Sequence, residues 1–353
     1  MLSDAARVLI PSILSFIIGI GIVPIIAHQL YIHKAWKKKG GKGKGIGDNT
    51  GTPLFDELHK VREESTPRMG GIVVWLSVLI TALGIAILGL IFGGVFEVYD
   101  FVNRGQTWLP LFALCVGAFV GLFDDILEVT KSSGGLGLRY RLAIIAVLGA
   151  FIGWWFYVKL GVTQVGIPFV GPLELGWVFI PFFILVMLAV YAGGIIDGLD
   201  GLAGGVFAFI FMTYAGIAFA QNQVSLAAFA ATVAGALFAF LWFNIPPARF
   251  YLSETGTMAL TSALVVTAFS ADVLGEGVGV AVLPIIALPL TVTVITTVLQ
   301  TISKRVFKKK LFRIAPIHHH FEALGWPAYK VTMRYWVITI IAGIFGLSLA
   351  LLK

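Results

Sequence analysis

Ten apolar runs divide this chain, the first from about Val8 to Ile26 and the others beginning near residues 70, 109, 140, 176, 202, 226, 256, 278 and 333. Inside a bilayer no water meets the backbone N–H and C=O groups of such a run, and a helix satisfies them within itself. The runs are apolar on all sides, which places them in lipid or in a bundle. The expectation is an all-α integral membrane protein of about ten transmembrane helices, folded as a single domain over residues 1–353. A mean hydropathy of +0.95 with only 12% charged residues excludes an ordinary soluble domain. The first run is too long for a signal-peptide core and lacks a basic segment before it, so it reads as a retained span. The run near 256–271 is short, and Pro284 and Pro289 predict a kink in the ninth. The single Cys115 excludes an internal disulfide and a thiolate metal site.

Lysine and arginine set the expected orientation. Alternate loops at 34–68, 124–141, 194–203, 244–256 and 303–334 carry 21 of the 25 basic residues. These loops are assigned to the cytoplasm and both termini to the outside. The stretch at about 34–60 is rich in lysine and glycine and reads as a cytoplasmic linker on the membrane surface. The net charge of +7 reflects this topology and attraction to anionic headgroups. Without interleaved aromatic residues it does not point to nucleic acid.

Four polar clusters sit at ends of these runs, all on the side assigned to the cytoplasm: LFDD at 122–125, DGLDG at 197–201, SETG at 253–256 and PIHHHFE at 316–322. Acids beside lipid are costly, so their convergence on one face implies a site. Asp124 and Asp125 suit a hard cation such as Mg²⁺, held by one or two carboxylates and substrate phosphates, or a metal ligand beside a general base. A solvated helix end is the plain alternative. Asp197 and Asp200, three apart, share a face if helical, among glycines that permit close approach. A helix-packing seam would account for those glycines but not for the two acids. Glu254 and Arg249 could pair with each other in their short loop. The histidines would diverge on a helix, whereas in an extended loop His318 and His320 share a side, and they could bind phosphate or shuttle protons. Together these features suggest metal-assisted chemistry on a phosphate ester.

Five stretches carry a resemblance: TPRMGG at 66–71, GLFDD at 121–125, DGLDGLAGG at 197–205, FNIPPARFYLSETGTMAL at 243–260 and RIAPIHHHFEALGW at 313–326. In this order they resemble the polyprenyl-phosphate N-acetylhexosamine 1-phosphate transferases, and the histidine segment is similar to the branch that handles muramoyl-pentapeptide. The resemblance implies a ten-helix fold and a Mg²⁺-dependent transfer of phospho-N-acetylmuramoyl-pentapeptide from UDP to undecaprenyl phosphate, releasing UMP in peptidoglycan synthesis. It implies an inner or plasma membrane location, a cytoplasmic active site, and allows a homodimer. By the same resemblance Asp124, Asp125, Asp200 and His318 would be catalytic. Thr66, Lys131, Asp197, Asn244, His319 and His320 would bind substrate, and Glu254 with Asp124 would bind metal.

The chain departs from that pattern at several positions. Glu254 stands in place of a metal-binding aspartate, with Ser253 and Thr257 in place of its neighbouring glycine and serine. Gly194 replaces an asparagine, and Glu128 and Glu63 or Glu64 fall where lysines are expected. Arg68, Lys131, Arg139 and Arg141 are the cations that could compensate. A relative using another UDP-N-acetylhexosamine or polyprenyl phosphate, and a non-catalytic homologue that binds lipid phosphate or a protein, are the alternatives. A transporter fits less well, because the acids gather at one face and no internal repeat is evident.

Overall fold

In a computed structural model the described residues are 2–38, 63–102, 105–130, 135–273 and 277–352. They form helices α1 (Leu2–Ile32), α2 (Gly71–Phe92), α3 (Val95–Tyr99), α4 (Gly105–Thr130) and α5 (Leu138–Lys159), then strands β1 (Gln164–Ile167) and β2 (Gly171–Glu174). Helices α6 (Phe179–Gly193), α7 (Leu202–Ala220), α8 (Val224–Asn244), α9 (Ser253–Val273), α10 (Leu283–Ile286), α11 (Leu288–Val306), α12 (Ile317–Ala323) and α13 (Ala328–Leu351) follow. The protein is an all-α integral membrane protein: among the described residues eight helices are long and apolar enough to cross a membrane. Helices α9 and α11, which also coincide with predicted runs, carry more polar side chains and are not among those eight. The linker expected at about 34–60 lies outside the described residues from 39 onward.

Helix α8 is the axis of the bundle, packed against α1 and α7. Its sequence is rich in alanine, and such small side chains let neighbouring backbones approach. It stops at Asn244 because Ile245, which precedes Pro246, is extended. A second core lies between α5, α6 and α9, where Phe156, Phe179 and Phe183 surround Phe269, with 4.3 Å between the Phe183 and Phe269 ring centroids.

Helices α4 and α9 make the contact that matters most for the site. Gly117 and Gly121, four apart on α4, lie against the backbone of α9 at Met258 and Glu254, so closely that a Cβ at Gly121 would collide with the Glu254 carbonyl. This seam carries Asp124 and Asp125, one turn further along α4, to the first turn of α9.

One local expectation is corrected, and one element is new. Pro284 and Pro289 do not kink one helix; each sits at the start of its own, α10 and α11, with the break at Ala287. Proline suits that place because its missing N–H has no partner in a first turn. The hairpin β1–β2, paired antiparallel with Gln164 opposite Glu174, carried no apolar signal of its own in the sequence.

Candidate functional site

The four polar clusters meet at the end of the bundle where α9 begins. A cavity of about 310 Å³ is lined there by Asp124, Glu128, Asp197 and Glu254, and by Lys37, Arg68 and Arg141. Each acid reaches it by a different local device.

Asp125 lies behind the cavity wall, fully buried. One carboxylate oxygen accepts the Thr255 N–H at 2.9 Å and the Thr255 hydroxyl at 2.6 Å; the other accepts Arg68 Nε and Nη2 at 3.2 and 3.1 Å. Both oxygens are therefore committed to holding α4, α9 and Arg68 together. Asp124 points into the cavity, accepts the Leu136 N–H, and stands 3.5 Å from Arg141 Nη1. The same Arg141 nitrogen pairs closely with Glu254, whose second oxygen accepts the Thr257 hydroxyl at 3.3 Å. The pairing that Glu254 and Arg249 could have made does not form: Arg249 lies over the Phe243 ring. Arg141 can span to Glu254 because α4 and α9 are in backbone contact, which brings Asp124 and Glu254 within reach of one guanidinium.

Two more cations complete the charge network. Arg68 Nη2 pairs with Glu128 at 2.9 Å as well as with Asp125. Burial opposes its charge, yet Asp125 and Glu128 more than offset this and hold the guanidinium above its ordinary pKa. Lys37, just past the end of α1, places its ammonium 3.2 Å from both Glu63 and Glu128. The glutamates at 63 and 128, where the resemblance leads one to expect lysines, thus meet a lysine arriving from elsewhere in the chain.

The DGLDG segment is not helical, so Asp197 and Asp200 do not share a helix face. A short 3-10 turn (Gly194–Ile196) ends at Asp197, and α7 begins only at Leu202. Asp197 turns toward the cavity and accepts the Ser253 N–H at 2.7 Å. Burial pushes its carboxyl up to about 6, against that hydrogen bond and the charge of Arg68, which favour the ionised form. Asp200 turns the other way: its carboxylate accepts the Ala248 N–H at 3.2 Å and its carbonyl the Thr332 hydroxyl at 3.1 Å. Asn244 likewise braces the turn from below, accepting from Gly201 N–H at 3.0 Å and donating to the Phe250 carbonyl at 2.8 Å.

The histidines lie on a helix, α12, and not in an extended loop. Pro316 precedes its first turn and Gly325, at φ +89°, follows its end. His318 and His319 are fully buried and face Gly198, where a Cβ would come within 2.6 Å and 2.7 Å of their Nε2 atoms. Only glycine at 198 lets this ring pair support the Asp197 turn. His319 Nδ1 is 2.7 Å from Glu322. His320 faces away and accepts the Arg313 N–H at 3.1 Å, so it does not join its neighbours at Gly198, and none of the three histidines lines the cavity itself. Thr66 is half-buried but does not line the cavity, and Arg68 is the residue of TPRMGG that does. Arg139 is exposed, and Lys131 lies outside the described residues. Lys37 was missed by sequence reasoning, since its surroundings read only as a basic linker.

Among the described residues no group of three or more histidine, cysteine or acidic side chains is placed to hold a metal ion. Asp124 and Glu254 nevertheless already converge on one cation, the Arg141 guanidinium. Two carboxylates offering only oxygen fit Mg²⁺, which takes its remaining ligands from water and phosphate.

A buried acidic and basic cavity at one end of a helical membrane bundle defines a membrane protein built to handle a charged, phosphate-like group. The chain belongs to glycosyl transferase family 4, whose family model matches residues 107–272. It is similar to proteins named phospho-N-acetylmuramoyl-pentapeptide-transferase. That from Pelagibacter ubique is 31% identical, over 82% of this chain and 81% of the relative. The protein from Clostridium beijerinckii is 30% identical over 97% and 96%, and that from Chloroflexus aggregans 30% identical over 100% and 92%.

Proposed function

We propose that this chain transfers phospho-N-acetylmuramoyl-pentapeptide from its UDP carrier to undecaprenyl phosphate, giving lipid I and UMP in peptidoglycan synthesis. The observation that carries the reading is the meeting of Asp124, Asp197 and Glu254 with Lys37, Arg68 and Arg141 around one cavity, in a membrane protein similar to those transferases. The cavity faces the cytoplasm of the cell membrane, as the distribution of basic residues favours.

In the transfer a phosphate oxygen of the lipid bonds to the sugar-linked phosphorus, and the bond from that phosphorus to the oxygen bridging to UMP breaks. The chain's task is to gather two anionic substrates and stabilise the charge that develops between them. Lys37, Arg68 and Arg141 supply positive charge at the cavity. Mg²⁺, when bound, neutralises pyrophosphate oxygens, and Asp124 and Glu254 are the residues that would hold it. Asp124 faces the cavity and is the better placed of the aspartate pair to accept a proton or a metal. Asp125 positions Arg68 and the start of α9. Asp197 lines the same cavity, and His318 and His319 support its turn through Gly198. Asp200 and Asn244 hold the same turn from beneath.

The test is UMP release by the purified protein with UDP-N-acetylmuramoyl-pentapeptide, undecaprenyl phosphate and Mg²⁺, beside a metal-free control. Metal-dependent release with a new lipid-linked product is the expected result. Release only with UDP-N-acetylglucosamine would assign a different donor, and none with either would indicate a non-catalytic homologue.

A further inference from the structure

Beyond the cavity, the segment joining α11 to α12 combines charge and apolar exposure in an ordered form. Arg305, Lys308, Lys309, Lys310 and Arg313 are all exposed, and no acidic residue occurs between positions 301 and 321. Between these cations Phe307 and Leu311 are 67% and 58% exposed. Such a segment would be expected to collapse or fray unless its backbone were tied down.

It is tied down from the inside. Gln300 accepts the N–H groups of Leu311 and Phe312 at 2.9 and 3.0 Å and donates to the Phe312 carbonyl at 3.0 Å. The Ser303 hydroxyl donates to the Lys309 carbonyl at 2.8 Å. Arg313 uses its backbone N–H on His320 and its guanidinium on the Ala323 carbonyl, which ties the segment to α12. The backbone is thus held inward while the lysines, Phe307 and Leu311 project outward.

Its level in the membrane follows from α11. The outward face of that helix is an apolar stripe of Ile295, Val298, Leu299, Ile302 and Val306, all exposed. That stripe suits lipid tails and ends where the cations begin, the depth at which headgroups lie. Exposed cations there meet headgroup phosphates, and exposed Phe and Leu side chains enter the acyl boundary. The placement of basic residues by topology alone accounts for the charge but not for aromatic and aliphatic side chains presented with it.

We infer that the 305–313 segment is a docking surface for anionic phospholipid headgroups of the bilayer, with Lys308, Lys309 and Lys310 as its charge and Phe307 and Leu311 as its anchor. Its hydrogen bonds to α12 brace the histidine helix against the membrane surface. Because binding is read on the lipid and not on turnover, this inference stands independently of the transferase reading.

The full chain, reconstituted in phosphatidylcholine vesicles, is probed with trace spin-labelled phosphatidylglycerol or spin-labelled phosphatidylcholine, and the motionally restricted fraction of each is compared. Selection for phosphatidylglycerol of roughly threefold or more is expected at low salt, weakening as salt screens it. Lys308→Gln/Lys309→Gln/Lys310→Gln should remove most of that selection, the corresponding triple change to Arg should keep it, and the triple change to Glu should reverse it. Equal selection by wild type and the Glu triple would overturn the inference. Loss of selection on adding millimolar inorganic phosphate at constant ionic strength would also overturn it, by revealing a free-anion site.

Discussion

Helix α9 carries an acid at each end, and the two are satisfied in opposite ways. At its start Glu254 shares Arg141 with Asp124 and borders the cavity. At its end Asp272, 3% exposed, accepts the Gly166 N–H of β1 at 2.8 Å and the Val280 N–H at 3.0 Å. Backbone amides cannot leave, so Asp272 is a fixed clasp that fastens the hairpin and the following loop to the bundle. A guanidinium on a side chain can move aside for a ligand, so Glu254 remains exchangeable. Of these two carboxylates, Asp272 is structural because both its partners are main chain, and Glu254 is available for chemistry because its partners are side chains beside open space.

The largest effect that would test this contrast is on the exchangeable side. Asp124→Asn keeps shape but removes charge, and UMP release should fall on the order of 10²-fold or more with the thermal unfolding profile kept. Near-normal release would remove Asp124 from the chemistry. Glu254→Asp withdraws the carboxylate by one methylene, and the Mg²⁺ concentration giving half-maximal release should shift by about tenfold. An unchanged metal titration would make Glu254 a partner of Arg141 alone.

Smaller effects are expected from the outer cation and from the clasp. Lys37→Gln should raise the donor KM several-fold, on the order of 1 kcal/mol, with kcat held. An equal fall in kcat would instead place Lys37 in the transition state. Asp272→Asn substitutes one acceptor for two and should destabilise the folded chain by about 1 kcal/mol while leaving donor KM unchanged. A changed KM in that variant would break the distinction between the two ends of α9.

Much of the site was legible because acids and histidines stand out against an apolar chain. The four clusters named by sequence do converge, and Arg68 and Arg141 were recognised as compensating cations. Other roles could not be read. Asp197 and Asp200 look equivalent in DGLDG, yet only Asp197 lines the cavity, since the chain is a turn there and sends the two carboxylates different ways. Lys37 was hidden because a lysine next to a glycine-rich stretch has the composition of a linker whatever it touches.

The sequence by itself determined that this is a helical membrane protein and what kinds of groups its site would contain. Backbone polar groups in lipid leave few other folds, and motif chemistry is carried by residue type. Only the tertiary structure decided the pairing. Arg141 on α5 and Glu254 are 113 residues apart and pair only in the fold, and Asp124 joins them because two glycines on α4 let it lie against the backbone of α9. Which acid is exchangeable and which is a clasp depends on such long-range contacts, and no local pattern in the sequence encodes them.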